Sequence, residues 1–223
     1  MKRPAFLLAA TALIAACQQP ADAAENAVRA PAAKLEADEG KGLKTAIFAG
    51  GCFWGVEGVF SHTLGVKSAV SGYHGGAKDK ASYRQVSYGK TDHAEAVRVV
   101  YDPSVIRYDE LLRIFFSVVT NPTQLNRQGP DVGTQYRSAL VPMNAEQRKV
   151  ATAYLAQLDK SGVWGAPVVT RVESYKSFYP AEAYHQDFML KNPRHPYILQ
   201  WDAPKVAALK RLYPKEYSAG FAR

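Results

Sequence analysis

A cysteine with the surroundings of a nucleophile lies in the stretch TAIFAGGCFWGVEGVF, residues 45–60. Gly50 and Gly51 allow a sharp turn after an apolar strand, and Cys52 then opens a helix. A thiol at a helix N-terminus faces unpaired backbone N–H groups and the positive end of the helix dipole. These lower its pKa from the usual value of about 8.5 and favour the thiolate. The pattern predicts a reactive thiolate at Cys52, and a buried structural cysteine is the alternative.

The cysteine count leaves Cys52 without a partner for an internal disulfide. The 223 residues contain two cysteines, and the other one, Cys17, lies in a segment with the features of an export signal. Lipidation would use up the sulfur of Cys17, and cleavage further along would remove it. Either way, one free thiol remains in an exported protein, which indicates a reactive or partner-seeking role.

Residues 1–23 form the predicted export signal, with a basic start and an apolar run too short to cross a bilayer as a permanent helix. Two cleavage sites compete. The stretch IAAC, ending at Cys17, resembles the bacterial lipoprotein box and is favoured, whereas ADA, ending at Ala23, resembles a signal-peptidase site. An uncleaved apolar anchor is a third interpretation. The sequence therefore predicts an exported, periplasmic protein that is lipid-anchored if cleavage precedes Cys17.

The overall composition indicates a globular protein with a sizeable core, since 47% of the residues are hydrophobic and 22% are charged. The formal net charge is +8, but the basic residues are scattered, as in KGLK and LKRLYPK. Such a distribution favours a solvated basic surface over a nucleic-acid site and allows a weak attraction to anionic membranes. We expect a monomer that binds no nucleic acid.

Strands and helices alternate around the candidate nucleophile. Residues 24–42 lack apolar periodicity and are predicted to be a flexible tether, followed by a catalytic domain over residues 43–217 and a tail at 218–223. Strands are predicted in LKTAIFAG, VKSAVSGYHGG, AEAVRVVYD, TQYRSALVPM and PVVTRVES, and helices in CFWGVEGVFSHTLG, SVIRYDELLRIFFSVVT and NAEQRKVATAYLAQLDKSG. This order predicts an α+β fold, a two-layer ferredoxin-like split β-α-β core. The chain after Tyr175 is expected to wrap that core irregularly.

The helix that begins at Cys52 has one apolar stripe and one aromatic residue outside it. The stripe consists of Phe53, Val56 and Phe60. Trp54 lies about 100° away from Phe53 around the helix and can line a pocket for an apolar group. Gly55 and Gly58 cost the helix about 1 kcal/mol each, which indicates that another backbone or a ligand comes close.

Four separated stretches resemble the A class of peptide methionine sulfoxide reductases. They are GCFWGVEGVF, YRQVSYGKTDHAEAVRVVYDP, NPTQLNRQGPDVGTQYRS and FYPAEAYHQDF, and together they extend in the family's order through nearly all of residues 45–200. These enzymes reverse methionine oxidation, one enzyme per sulfoxide epimer. The resemblance implies reduction of methionine S-sulfoxide in proteins, peptides and free methionine, as repair of oxidative damage.

The resemblance also implies the chemistry at the sulfoxide. Cys52 would attack the sulfoxide sulfur as a thiolate and become a sulfenic acid, and Glu95 would protonate the departing oxygen. A carboxyl buried near aromatic rings has a raised pKa and holds a proton at neutral pH. Without the resemblance, Glu95 also fits an exposed glutamate on a surface strand. Tyr83 and Tyr136 would donate further hydrogen bonds to the oxygen.

Three further residues would bind the substrate by the same resemblance. Phe53 and Trp54 would enclose the S-methyl group, and Asp131, which by itself fits a turn, would orient the polar side of the site. The histidines show no metal-ligand spacing, and His93 and His185 fit structural hydrogen bonding better than catalysis.

The sequence departs from many of these relatives in the cysteines that recycle the enzyme. Relatives often carry such cysteines near the C-terminus, where this chain reads LKRLYPKEYSAGFAR, or shortly after the tyrosine, where this chain has Ser87. We therefore expect no bound cofactor and reduction of the Cys52 sulfenic acid by an external thiol, either a thioredoxin-like protein or a small thiol. His74, in GYHGG, is expected at the pocket rim.

Two other functions compete with this one. A thiol peroxidase-like enzyme would also pass through a sulfenic acid but would not need an apolar methyl pocket. A lipid-anchored binding module would leave Cys52 inert, so that Cys52→Ser would keep its role.

Overall fold

The computed structural model describes residues 27–222. The predicted export signal, its cleavage sites and the lipidation of Cys17 lie outside the described residues. Within the described range no helix combines the length and the apolar character that a membrane span requires.

Within residues 27–222, eight strands form a six-stranded sheet and a separate two-stranded hairpin. In chain order they are β1 (Lys44–Gly50), β2 (Val66–His74), β3 (Ala94–Tyr101), β4 (Arg127–Gln128), β5 (Asp131–Val132), β6 (Ser138–Val141), β7 (Arg171–Val172) and β8 (Phe178–Pro180). The large sheet has the order β7-β6-β1-β3-β2-β8, and β4 pairs with β5. Its four central strands, β6-β1-β3-β2, are antiparallel in the order of a split β-α-β core, which confirms the α+β, ferredoxin-like prediction.

In the described part of the chain, six α-helices connect and cover these strands. They are α1 (Phe53–Ser61), α2 (Tyr83–Val86), α3 (Tyr108–Ile114), α4 (Ala145–Ser161), α5 (Phe188–Lys191) and α6 (Ala203–Leu212), with 3-10 turns at Lys78–Lys80 and Thr134–Tyr136 and π-helical turns at Phe115–Val119 and Ile198–Asp202. The side chain of Asn144 accepts a hydrogen bond from the N–H of Gln147, so α4 begins at the predicted cap.

The apolar stripe of α1 packs on the sheet as its spacing predicts. Phe53, Val56 and Phe60 are buried, and the ring of Phe60 lies 4.6 Å from that of Phe48 on β1. This packing fixes β1 and α1 against each other. It therefore holds in place the turn between them, which carries Cys52.

The prediction of a flexible tether over residues 24–42 is wrong for residues 27–42. The N–H of Ala30 donates to Oγ of Ser117 at 2.9 Å, and Ala30 itself is fully buried. The hydroxyl of Tyr154 donates to the carbonyl of Pro31 at 2.7 Å. Small alanine side chains fit into the surface of the domain without any helical or strand periodicity, so the pattern that identifies regular elements does not reveal this segment.

The chain after Tyr175 is less irregular than expected, because it contains α6. Pro204 lies in the first turn of this helix, where proline has no hydrogen bond to lose, so it begins the helix and does not interrupt it. The two costly glycines of α1 are explained here, although by side chains and not by a backbone or ligand. A Cβ on Gly55 would overlap the Asp202 carboxylate at the start of α6, and a Cβ on Gly58 would lie 2.5 Å from Cε of Met189.

Candidate active site

The turn that carries Cys52 requires both of its glycines. Gly51 has φ +92°, a conformation that residues with a Cβ rarely adopt. A Cβ added at this position would lie 2.6 Å from Cβ of Gln128. At Gly50 a Cβ would lie 2.7 Å from the ring of Phe115. Cys52 follows as the residue that caps α1, as the sequence predicts.

Cys52 is buried, although it lies at the start of a helix. It is 8% exposed. Burial, and then the negative charges of Asp202, Glu95 and Asp131, raise the pKa of this thiol well above its ordinary value, while the backbone N–H of Trp54 lowers it. The expected lowering of the pKa is therefore wrong for the free site: the helix terminus acts in the predicted direction, but desolvation outweighs it. Burial in this cavity therefore favours the neutral thiol over the thiolate.

Glu95 lies on β3 beneath the start of α1. It is 1% exposed, and its Oε2 accepts a hydrogen bond of 3.0 Å from the backbone N–H of Phe53, the residue after Cys52. Burial raises the pKa of Glu95 to about 8, with smaller contributions from Asp131 and Asp202. At neutral pH this carboxyl therefore holds a proton next to the thiol, and it is not a surface glutamate.

Two tyrosines from different elements face the same space. Tyr83 begins α2 and is held by its N–H, which donates to Oε1 of Glu182 at 2.9 Å. Tyr136 ends the 3-10 turn before β6. Burial raises the pKa of both hydroxyls, and the nearby charge of Glu95 adds to it, so both stay protonated as hydrogen-bond donors.

Phe53 and Trp54 form an apolar wall beside Cys52. Phe53 is buried with its ring 5.0 Å from that of His185, whereas Trp54 is partly exposed and stacks on Phe188 of α5 at 3.7 Å. The indole N–H of Trp54 donates to Nδ1 of His185 at 3.1 Å. Because its polar atom is already bonded, Trp54 turns an apolar face to the cavity in a fixed orientation.

Asp131 lies on β5 and is held by a residue that the sequence reasoning missed. The hydroxyl of Tyr197 donates to Oδ2 of Asp131, and the ring of Tyr197 meets that of Trp54 edge-on at 5.8 Å. Burial raises the pKa of Asp131, while the hydrogen bond from Tyr197 lowers it.

All seven predicted site residues of the catalytic domain line one cavity of about 300 Å³, together with His195 and Tyr197. The seven come from α1, α2, β3, β5 and the turn before β6, and the fold brings them together at one end of β1. His195, Tyr197 and the buried Asp202 belong to the segment expected to be irregular, and no spacing connects them to Cys52. The one signal for them is the pair of glycines in α1, whose missing side chains leave room for that segment.

The other histidines have structural surroundings. His93 is buried, and its ring accepts from the N–H of Gly76 at 3.1 Å. His74 does not lie at the pocket rim as expected: it is buried on β2, 3.3 Å from Glu173. Among residues 27–222 no three metal-ligating side chains of the His, Cys, Asp and Glu types are grouped as a metal site would require.

Comparison with known proteins agrees with this geometry. The sequence model of the family described as peptide methionine sulfoxide reductase matches residues 44–217. Peptide methionine sulfoxide reductase MsrA 2 of Mesorhizobium japonicum is 59% identical over 79% of this chain and 91% of its own length. The MsrA 2 protein of Synechocystis is 49% identical over 80% of this chain and 84% of its own.

Solved structures give the same result. Mxr1 from Saccharomyces cerevisiae in its reduced form superposes with a TM-score of 0.63 at 37% identity, covering 73% of this chain and 92% of Mxr1. Methionine sulfoxide reductase A of Corynebacterium diphtheriae superposes with a TM-score of 0.59 at 33% identity, covering 70% of this chain and 78% of that protein.

The fold is thus that of an oxidoreductase acting on sulfoxides, and the chain belongs to the peptide methionine sulfoxide reductase family, class A. Its activity is the reduction of methionine (S)-sulfoxide to methionine, which repairs oxidative damage.

Proposed function

We propose that Cys52 and Glu95 carry out this reduction as a thiol and acid pair. The observation that carries the proposal is the buried carboxyl of Glu95, bonded to the N–H of Phe53 and lining the same cavity as Cys52. A sulfoxide oxygen needs a proton before it can leave, and Glu95, with its pKa raised to about 8 by burial, has one to give at neutral pH.

The first half-reaction needs no group from outside the cavity. The sulfur of Cys52 attacks the sulfoxide sulfur while Glu95 gives its proton to the sulfoxide oxygen, and the proton of the thiol passes to Glu95. The oxygen then moves to Cys52 and methionine leaves, so the sulfoxide is reduced and the thiol becomes a sulfenic acid. This transfer also explains how a thiol of raised pKa can react: the thiolate forms only as the neighbouring proton moves to substrate.

The side chains around this pair bind the substrate. Tyr83 and Tyr136 donate hydrogen bonds to the sulfoxide oxygen, on which negative charge is concentrated. Phe53 and Trp54 pack against the S-methyl group, and Asp131, oriented by the hydroxyl of Tyr197, faces the polar side of the substrate.

The second half-reaction requires an external thiol, because the sequence offers Cys52 no second cysteine besides Cys17. An incoming thiol forms a mixed disulfide with Cys52 and releases water, and a second thiol then frees the enzyme. We propose a thioredoxin-type dithiol protein as the reductant, with a small thiol as the alternative.

Enzyme mixed with excess methionine S-sulfoxide peptide and no reductant is expected to yield about one methionine per enzyme molecule and a sulfenic acid at Cys52. Quantified methionine and mass spectrometry after dimedone trapping measure both. The Cys17→Ser variant is the matched control and is expected to give the same yield. An internal disulfide in the parent that is lost in this variant would contradict the single-thiol scheme.

We also propose that the protein is exported to the periplasm and anchored through a lipid on Cys17. The support is the basic and apolar composition of residues 1–23 and the IAAC stretch that ends at Cys17. Mass spectrometry of the mature N-terminus after expression in a Gram-negative host is expected to show a lipidated Cys17. A chain beginning after Ala23 would replace the anchor with a soluble periplasmic form, and an intact Met1 would contradict cleavage at either site.

A further inference from the structure

The first described residues of the chain lie beside Tyr213, a buried residue just after α6. The N–H of Val28 donates to the carbonyl of Ser117 at 3.1 Å, and the N–H of Ala30 donates to Oγ of the same serine at 2.9 Å. That Oγ lies 2.6 Å from the hydroxyl oxygen of Tyr213, which is 3% exposed. The chain that comes from Cys17 therefore joins the domain next to the end of α6.

Basic side chains from three parts of the chain surround this point. The guanidinium carbons of Arg29 and Arg113 lie 5.3 Å and 5.7 Å from the centre of the Tyr213 ring. Nζ of Lys210 lies 5.6 Å from the centre of the Tyr217 ring, and the N–H of Tyr217 donates to the carbonyl of Tyr213 at 2.9 Å. These cations come from the segment before β1, from α3 and from α6, so the fold gathers charges that are scattered in the sequence.

Two further cations flank Tyr213 along the chain. Arg211 and Lys215 are both exposed. Glu216 is the one acidic residue within residues 203–217. We call this surface the basic face and define it by its cations: Arg29, Arg113, Lys210, Arg211 and Lys215. Such a concentration of positive charge is complementary to the negative headgroups of an anionic bilayer.

The basic face and the active site lie at opposite ends of the same two helices. α1 begins directly after Cys52, and α6 begins directly after Asp202, whose carboxylate a Cβ on Gly55 of α1 would overlap. At the other end, the ring of His62, the residue after α1, stacks on that of Tyr217 at 5.8 Å. The ten residues of α6 rise about 15 Å along its axis. The basic face is therefore separated from Cys52 by the length of both helices.

The anchor proposed on Cys17 would act on the same face. Residue 27 lies ten positions after Cys17. Ten extended residues span at most about 35 Å, and a domain of this size is about 40 Å across. A lipid on Cys17 therefore keeps the domain within about its own width of the bilayer and favours the face where the chain enters as the one that meets the lipid.

We propose that the basic face binds anionic lipid headgroups and that the active site of the anchored enzyme opens away from the membrane. The inference rests on the export and the lipid anchor proposed above, which bring the domain to a bilayer. The guanidinium and ammonium groups pair with headgroup phosphates, and each cation near the surface adds to the binding. The anchor holds the enzyme on the membrane, and the basic face orients it so that oxidised proteins reach Cys52 from the aqueous side.

Binding to vesicles tests the basic face without the anchor. The chain that begins at Ala24, the product of the second cleavage site, carries no lipid and retains residues 27–222. We expect it to sediment with vesicles of equal parts phosphatidylglycerol and phosphatidylcholine, to stay in solution with pure phosphatidylcholine, and to be released as salt is added. The triple variant Lys210→Gln, Arg211→Gln and Lys215→Gln is expected to bind at least about 10-fold more weakly.

The matched control loses the same charge elsewhere. Lys78→Gln, Lys80→Gln and Lys90→Gln together remove three exposed lysines on either side of α2, the helix that carries Tyr83 of the substrate cavity. This variant is expected to keep most of the binding. An equal loss in both triple variants would show that net charge alone causes the binding, and that result, or a parent that does not bind the anionic vesicles, would overturn the inference.

The orientation is tested on the lipidated protein, which the anchor holds on both kinds of vesicle. Acetic anhydride is expected to modify Lys210 and Lys215 several-fold more slowly on the anionic vesicles than on pure phosphatidylcholine, with Lys78 and Lys80 modified equally on both, as measured by mass spectrometry. Protection of Lys78 and Lys80 instead would overturn the orientation. A mature protein without lipid on Cys17 would refute the anchor, and the vesicle binding of the unlipidated chain would still decide the basic face.

Discussion

Replacing Cys52 by serine is expected to reduce the rate of methionine formation by about 10⁴-fold or more, to the level of the uncatalysed reaction. A serine hydroxyl has nearly the same volume, so the turn at Gly51 and the packing of Phe53 are kept. Oxygen, however, cannot accept the sulfoxide oxygen and become the equivalent of a sulfenic acid. The measurement is the initial rate on an S-sulfoxide peptide with excess dithiothreitol, with circular dichroism to verify the fold.

The chain provides its own control for this change, because Cys17→Ser removes the other cysteine and is expected to keep the full rate. The pair distinguishes the loss of a thiol from the loss of the thiol at this position. A Cys52→Ser enzyme that retains a tenth of the activity or more would show that Cys52 is not the nucleophile.

Replacing Glu95 by glutamine is expected to reduce the rate of the first half-reaction by about 10²- to 10⁴-fold. The amide oxygen of glutamine can still accept the hydrogen bond from the N–H of Phe53, so the geometry is kept, but the side chain has no acidic proton to give. The measurement is the burst of methionine in single turnovers without reductant.

The pH dependence of the same burst follows from the raised pKa of Glu95, about 8. Because the protonated carboxyl is the active form, the rate is expected to stay high below that pH and to decline as the pH rises through it. In Glu95→Gln this alkaline decline is expected to disappear.

Glu57→Gln is a close match for the Glu95 variant. Glu57 is also buried, its Oε2 accepts a backbone hydrogen bond of 3.2 Å from Asp187, and burial raises its pKa to about 7, but it does not line the cavity. We expect it to keep the alkaline decline and most of the burst rate. If both variants lose activity alike, or if Glu95→Gln keeps the decline, Glu95 is not the acid.

The strands and helices could be predicted because their apolar residues recur with the period of a strand or of a helix. Along the second half of β3, Val97, Val99 and Tyr101 are buried and alternate with the partly exposed Arg98 and Val100, and α1 buries the predicted stripe of Phe53, Val56 and Phe60. Residues 27–42 have neither period, and they stay on the domain through single contacts such as the hydrogen bond from Ala30 to Ser117. No local pattern indicates a partner 87 positions away.

The site could be predicted as a set of residues but not as an electrostatic environment. The glycine turn and the family resemblance identify Cys52 and Glu95. Whether a carboxyl is protonated depends on burial and on the charges that the fold brings near it. One of these charges, Asp202, lies in the segment after Tyr175, which the sequence predicts to be irregular. The same long-range packing reverses the predicted shift in the pKa of Cys52.

The most direct test of the account is whether Glu95 holds its proton in the resting enzyme. Infrared difference spectra of the parent protein minus Glu95→Gln, recorded from pH 6 to 10, isolate the carboxyl of this one residue. The predicted result is a band of the protonated carboxylic acid at pH 7, which carboxylate bands replace as the pH rises through about 8. Carboxylate bands already present at pH 6 would contradict the account, because Glu95 would then have no proton to give to a sulfoxide.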